Sequence, residues 1–129
     1  MDSGKTLPRK EFDFIGPSDR EMRAMPHAIQ DQFGRALLDA QYGDRPHGAR
    51  PFGEGLPAKV MKLSDDLAGD TYRAAYTAEF AQCVYLLHVF QKKSKSGRAT
   101  PRSTIELIRR RYRTACVRHQ QQYPEAPDE

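Results

Sequence analysis

Acidic residues are almost missing from the C-terminal third of this 129-residue chain: residues 92–118 hold ten lysines and arginines and one acid, Glu106. The formal net charge is only +4, so the remainder of the chain is net acidic. A block of this kind is either a solvated helix face or a surface for a polyanion, because phosphates that it neutralises release counterions and offset the repulsion among crowded cations. Nucleic acid is the favoured polyanion. Cysteine is scarce as well. Cys83 and Cys116 fall in apolar periodic segments without metal-ligand spacing, which excludes a zinc or redox motif and predicts two buried, reduced thiols in a cytosolic protein. No disulfide or metal is needed, since a single domain of this length buries roughly two thirds of its unfolded surface.

Long apolar runs are missing too. No stretch of eighteen apolar residues exists and no charged-then-apolar leader follows Met1, so neither a membrane span nor a secretion signal is expected and the predicted location is cytoplasmic. The usual enzyme signatures are missing: no phosphate loop, no Gly-x-Ser-x-Gly, no His-Glu-x-x-His and no paired carboxylates in the strand-like runs. The scattered acids disfavour chemistry built on a hard divalent cation, and no cofactor is expected.

What is present is organised around residues 59–95, where three strand-like runs follow one another: AKVMKL, TYRAAYTAEF and CVYLLHVFQKK, the last two separated by a tight Ala-Gln turn. The second alternates, with Tyr72, Ala74, Tyr76, Ala78 and Phe80 on one face and Thr71, Arg73, Ala75, Thr77 and Glu79 on the other. Arg73 therefore points away from the aromatic face. The third run is apolar on both faces, Cys83, Tyr85, Leu87 and Val89 against Val84, Leu86, His88 and Phe90, as in a strand with neighbours on both sides at the middle of the sheet. The same period sends His88 and Lys92 out on one face.

Upstream, KEFDFI alternates as a first strand and stops at Gly16-Pro17. Ser18 and Glu21 form a capping-box pattern for a short helix that ends before Pro26. Pro26 then opens a second helix with Ile29, Phe33, Ala36, Leu37 and Ala40 on one stripe and Gly43 as its stop. Residues 44–57, rich in proline and glycine, read as a surface loop; His47 and Arg50 within it receive no role. Thr100-Pro101 reads as the N-cap and first turn of a long final helix, with Ile105, Ile108, Tyr112, Ala115 and Cys116 facing the sheet and the arginines opposite. The predicted fold is α+β: a small antiparallel sheet of about four strands with an N-terminal two-helix hairpin and a C-terminal helix packed on it. Residues 1–9 are expected to be a flexible lead-in, 10–122 one domain, and 123–129 a disordered tail.

A basic sheet face can cleave RNA without carboxylates. The 2′-hydroxyl must lose a proton while negative charge grows on phosphorus-bound oxygens and the 5′-oxygen leaves, so a base, a fixed cation and an acid are required. Lysine, arginine and histidine cover all three roles, because crowded cations lower one another's pKa and desolvation lowers an ammonium's further.

The motifs KLSDDLAGDTYRAAY and VYLLHVFQKKSKSGRATPRSTIELIRRRYR resemble the phage Gp49-like, HigB-type branch of the RelE/ParE toxin superfamily: a Lys-Leu strand, a Tyr-Arg-x-x-Tyr strand, a Leu-His-x-Phe-x-Lys-Lys strand and a Thr-Pro-started basic helix. The likeness runs from Phe12 to Arg118. It implies the RelE-like fold and the toxin role of a type II toxin–antitoxin system, with metal-independent endoribonuclease cleavage of mRNA, often on the ribosome, to a 2′,3′-cyclic phosphate. It also implies a helix-turn-helix antitoxin of the HigA/XRE type as partner. By that likeness Arg73 stabilises the phosphorane, Lys62 holds or activates the scissile phosphate, and Lys92 and His88 transfer protons. Lys59, Lys93, Lys95, Arg98, Arg102 and Arg109 are expected to bind RNA or ribosome. A ParE-like inhibitor of DNA gyrase, or a non-catalytic basic RNA-binding domain, is the alternative.

Overall fold

In a computed structural model, residues 8–92 and 100–124 are described. Strand β1 (Glu11–Phe14) leads into helices α1 (Ser18–Arg23) and α2 (His27–Gln41). Strands β2 (Arg50–Pro51), β3 (Met61–Leu67), β4 (Asp70–Thr77) and β5 (Cys83–Lys92) follow, and α3 (Arg102–Gln122) closes the chain. The five strands form one sheet in the order β1-β5-β4-β3-β2.

The α+β class is as expected, but the sheet is mixed rather than antiparallel and has five strands rather than about four. β2 to β5 are antiparallel neighbours, whereas β1 lies parallel to β5, with Glu11 opposite Cys83 and Phe14 opposite Leu86. The alternation of a strand fixes which side chains share a face, not the direction of its neighbour. Here the helix pair carries the chain away from β1 before the antiparallel strands begin, and β5 returns beside β1. β5 thus has neighbours on both sides, although β4 holds the centre.

One side of the sheet packs on α2, joining Ile29, Phe33 and Leu37 to Leu63, Tyr72, Ala74, Tyr76, Val84, Leu86 and Val89. The other packs on α3, joining Ile105, Ile108 and Ala115 to Ala75, Cys83, Tyr85 and Leu87. The final helix therefore docks through the stripe its periodicity predicts. Cys83 is buried and Cys116 half-buried, both as free thiols; burial raises Cys83 to about 11 and pushes Cys116 up as well.

Several local expectations are corrected. β3 begins at Met61 and continues through Ser-Asp-Asp, turning into β4 at Ala68-Gly69, both with positive φ as a two-residue hairpin requires. β4 stops at Thr77 instead of Phe80. Phe80 leaves the strand to stack on His119, with ring centroids 4.0 Å apart, so residues 78–82 make a longer connection than an Ala-Gln turn. The stretch 44–57 is not only surface: Arg50–Pro51 pairs with β3, and Phe52 and Leu56 are buried under α3. Its glycine and proline content masks these anchors. Tyr123, placed in the expected tail, packs its ring on His119 at 4.7 Å. Residues 1–7 of the expected lead-in and 125–129 of the expected tail lie outside the described residues.

Neither Ser18 nor Thr100 caps a helix. Ser18 Oγ donates to the Leu86 carbonyl (3.0 Å), and α1 is preceded by Pro17 without a side-chain cap. Thr100 donates its hydroxyl and its N–H to the Glu54 carboxylate (3.0 and 2.9 Å), one residue before the Pro101 cap of α3. The outer edge of β1 is capped at Phe14 by Asp13 and by Arg118 from α3. Asp13 accepts the Phe14 N–H at 2.9 Å and pairs with Arg118, which also donates to the Phe14 carbonyl, so a foreign strand finds these groups taken.

Candidate functional site

Residues opposite one another in a ladder share a face, and the register therefore places the predicted catalytic groups. Arg50, Lys62, Ala75 and His88 form one row across β2, β3, β4 and β5; Ser64, Arg73 and Phe90 form the next; Asp66, Thr71 and Lys92 the one after. Lys62, Arg73, His88 and Lys92 thus lie on the same side of the sheet, the side that α3 covers in part.

His88 reaches this face by a device that the alternation does not show. Ala75 pairs with His88 but Tyr76 with Leu86, so Leu87 is an extra residue, a β-bulge. Beyond it the pattern inverts. Val89 joins Val84 and Leu86 in the α2-side core, while His88 and Phe90 turn to the Arg73 side, against the expected grouping of Val89 with Leu87 and of His88 with Leu86. The shared face of His88 and Lys92 survives, because both lie past the bulge.

Lys62 sits over the Phe52 ring, with Nζ 5.4 Å from the centroid. Its pKa is lowered from the ordinary lysine value by partial burial first, then by Arg73, with Arg50 and Lys92 adding to the effect and Glu54 opposing it. Arg73 is half-buried. Among the described residues its Nε is the only buried side-chain nitrogen or oxygen without a hydrogen-bond partner, a donor left unmet where most are satisfied. None of Arg50, Lys62, Arg73 and Lys92 has an ion pair among the described residues. The acids nearest this group have other partners: Glu54 holds Thr100, and Asp66 accepts the Thr71 hydroxyl at 2.8 Å. The result is a cationic patch with an unfilled donor, suited to an oxyanion.

His88 occupies a different setting. Its Nδ1 lies 2.8 Å from Glu21 Oε1, and its ring stacks on Phe90 at 4.9 Å. Glu21 also receives Arg111 Nη1 at 2.9 Å on both oxygens and the Val89 N–H at 3.2 Å. Burial pushes the Glu21 carboxyl up, but the hydrogen bond and charge of His88, with Arg111 and the Val89 N–H, outweigh it and leave the pKa below the ordinary value. In the sequence, Arg111 carries no role of its own and Glu21 only that of a helix cap. The Ser18/Glu21 spacing suggested a local cap, whereas the partner of Glu21 lies 67 residues away.

The expected RNA-binding cations divide. Lys59 is exposed in the turn before β3. Exposed Arg102 and half-buried Arg109 line a shallow pocket of about 300 Å³ with Glu54, Thr100, Ile105 and Glu106. Arg109 is already committed, donating to the Gly55 carbonyl (2.9 Å) and pairing with Glu106 (3.5 Å). Lys93, Lys95 and Arg98 lie outside the described residues. Arg50 is a member of the patch that loop-like composition hid. Among the described residues no three His, Cys, Asp or Glu side chains converge as metal ligands, and no helix is long and apolar enough to cross a membrane.

Comparison with known proteins adds one match: the family model described as "Phage derived protein Gp49-like (DUF891)" fits residues 20–113. No curated protein and no solved structure matches the chain.

Proposed function

The chain belongs to the phage-derived Gp49-like family, a RelE/HigB-like toxin family, and from that premise we propose that it is the toxin of a type II toxin–antitoxin system, an endoribonuclease of RelE-like fold that cuts mRNA on translating ribosomes. The observation that carries this reading is the placement of Lys62 and Arg73 on one sheet face, flanked by Arg50 and Lys92, without a paired carboxylate among the described residues.

Lys62, its ammonium weakened by burial and by Arg73, takes the proton of the 2′-hydroxyl. The 2′-oxygen attacks phosphorus, and Arg73 meets the charge that builds on the non-bridging oxygens; its unmet Nε–H is a donor reserved for that moment. The bond from phosphorus to the 5′-oxygen breaks, and a protonated group, His88 or Lys92, supplies the proton that the leaving oxygen needs. The products are a 2′,3′-cyclic phosphate and a 5′-hydroxyl, with no divalent ion in the balance. Lys59 and Arg102, with Lys93, Lys95 and Arg98, track the phosphate backbone. The partner is a cognate helix-turn-helix antitoxin of the HigA/XRE type, which blocks the toxin until it is removed.

Translating ribosomes incubated with the protein, followed by mapping of new 5′ mRNA ends, test this directly. New ends are expected with the parent and none with Arg73→Ala. Loss of DNA supercoiling by gyrase without cuts would point instead to a ParE-like inhibitor. RNA binding with neither effect would point to a non-catalytic domain.

A further inference from the structure

The bulge at Leu87 leaves β5 with backbone groups that no strand can serve, because β1 ends opposite Leu86. Two side chains serve them. Glu21 from α1 accepts the Val89 N–H at 3.2 Å, and Arg111 from α3 donates to the Leu87 carbonyl at 2.9 Å. Between these two contacts lies His88, with its Nδ1 on the same Glu21 oxygen. α1 is itself pinned there by Ser18 on the Leu86 carbonyl.

These contacts decide where the imidazole carries its proton. Glu21 is a carboxylate at neutral pH, since the contacts of His88, Arg111 and the Val89 N–H hold its pKa below the ordinary carboxyl value. A carboxylate oxygen 2.8 Å from Nδ1 needs a proton between them, and that proton resides on Nδ1. Arg111 Nη1, 3.2 Å from the same nitrogen, is then a second donor to the shared carboxylate. The side chains of His88, Arg111 and Glu21 are 12%, 13% and 21% exposed, so solvent screens the group little.

We propose that Glu21 and Arg111 are positioning residues that fix the His88 ring with its proton on Nδ1, so that Nε2 of the imidazolium is the nitrogen that protonates the leaving 5′-oxygen. This rests on the reading of the protein as an RNA-cleaving toxin and chooses His88 over Lys92 as the acid. The acid loses its Nε2 proton, the neutral ring keeps the Nδ1 proton on Glu21, and the 5′-oxygen departs as a hydroxyl. The charged groups around the ring are Glu21 from α1 and Arg111 from α3, with Arg73 from β4, Lys62 from β3 and Lys92 from β5 on the same face.

Two measurements on the full chain test it. Nitrogen-15 NMR of the parent should show Nδ1 protonated in the imidazolium and in the neutral ring alike; a neutral ring protonated on Nε2 overturns the proposal without any variant. The second measurement is single-turnover cleavage of an mRNA on programmed ribosomes. Glu21→Gln should slow it about 10- to 100-fold, less than the 10²–10⁴ that the placed proton donor itself contributes, because the donor is still present and only its positioning is lost. It should also loosen the tautomer in the same NMR measurement, with part of the neutral ring now protonated on Nε2, because the carboxylate that holds the Nδ1 proton is gone. His88→Ala should slow cleavage more than Glu21→Gln does, and adding Glu21→Gln to it should change nothing further. If Glu21→Gln slows His88→Ala as much as it slows the parent, or leaves the Nδ1-protonated tautomer unchanged, the network is structural and the proposal fails. If neither Arg73→Ala nor His88→Ala alters cleavage, the nuclease reading falls and takes the proposal with it.

Discussion

Replacing Arg73 with alanine is expected to slow mRNA cleavage about 10²–10³-fold, the size of effect seen when one preorganised donor to a developing oxyanion is removed. The same change is expected to leave the unfolding free energy measured in urea within about 1 kcal/mol of the parent, because Arg73 makes no ion pair among the described residues and its buried Nε has no partner to lose. Separation of the two readouts is the informative part. A structural arginine loses stability and activity together, whereas an arginine kept for the transition state loses activity alone. Arg73→Lys should recover only part of the rate, since an ammonium offers charge without the planar fork of donors.

Lys62 gives the second large effect. As the base it must be neutral to act, so the rate should rise with pH through its pKa, which burial and Arg73 hold below the ordinary lysine value. Lys62→Ala should remove the rising limb and cost about 10²–10⁴-fold. Lys62→Arg should do little better at neutral pH, because a guanidinium keeps the positive charge but does not deprotonate. Full activity in Lys62→Arg would reassign Lys62 from proton transfer to phosphate binding. Combined as Lys62→Ala/Arg73→Ala, the protein should be tolerated by cells that the parent arrests.

The sequence showed the face of Arg73 well because β4 is half-buried on a strict period of two. Tyr72, Ala74 and Tyr76 fill the α2-side core and exclude an arginine from it. β5 was harder for the opposite reason. Both of its sides are apolar, so the extra residue at Leu87 leaves no mark in the pattern, and the true face of Val89 was hidden. The parallel pairing of β1 was hidden too, since alternation in Glu11–Phe14 is the same beside either neighbour.

Of the candidate site, Lys62, Arg73, His88 and Lys92 stand out in the sequence through their motifs, and the register brings them to one face. Arg50, Glu21 and Arg111 do not stand out. Arg50 sits in a two-residue strand bounded by proline and glycine, and its relevance comes only from facing Lys62. Glu21 and Arg111 act at separations of 67 and 90 residues from their partners, where local spacing carries no information. The ten-cation block also proved heterogeneous: Arg111 and Arg118 hold the fold together, Arg109 pins the Gly55 loop, and Arg102 remains exposed.

The most direct measurement of the chemistry is the nature of the ends left when a ribosome-bound mRNA of defined sequence is cut with EDTA added up to the level ribosomes tolerate. Cleavage by 2′-hydroxyl attack with protein cations predicts a 2′,3′-cyclic phosphate and a 5′-hydroxyl, at a rate that does not respond to Mn²⁺ added above what the ribosome requires. A 3′-hydroxyl with a 5′-phosphate, or cutting that rises in step with added Mn²⁺, would contradict it.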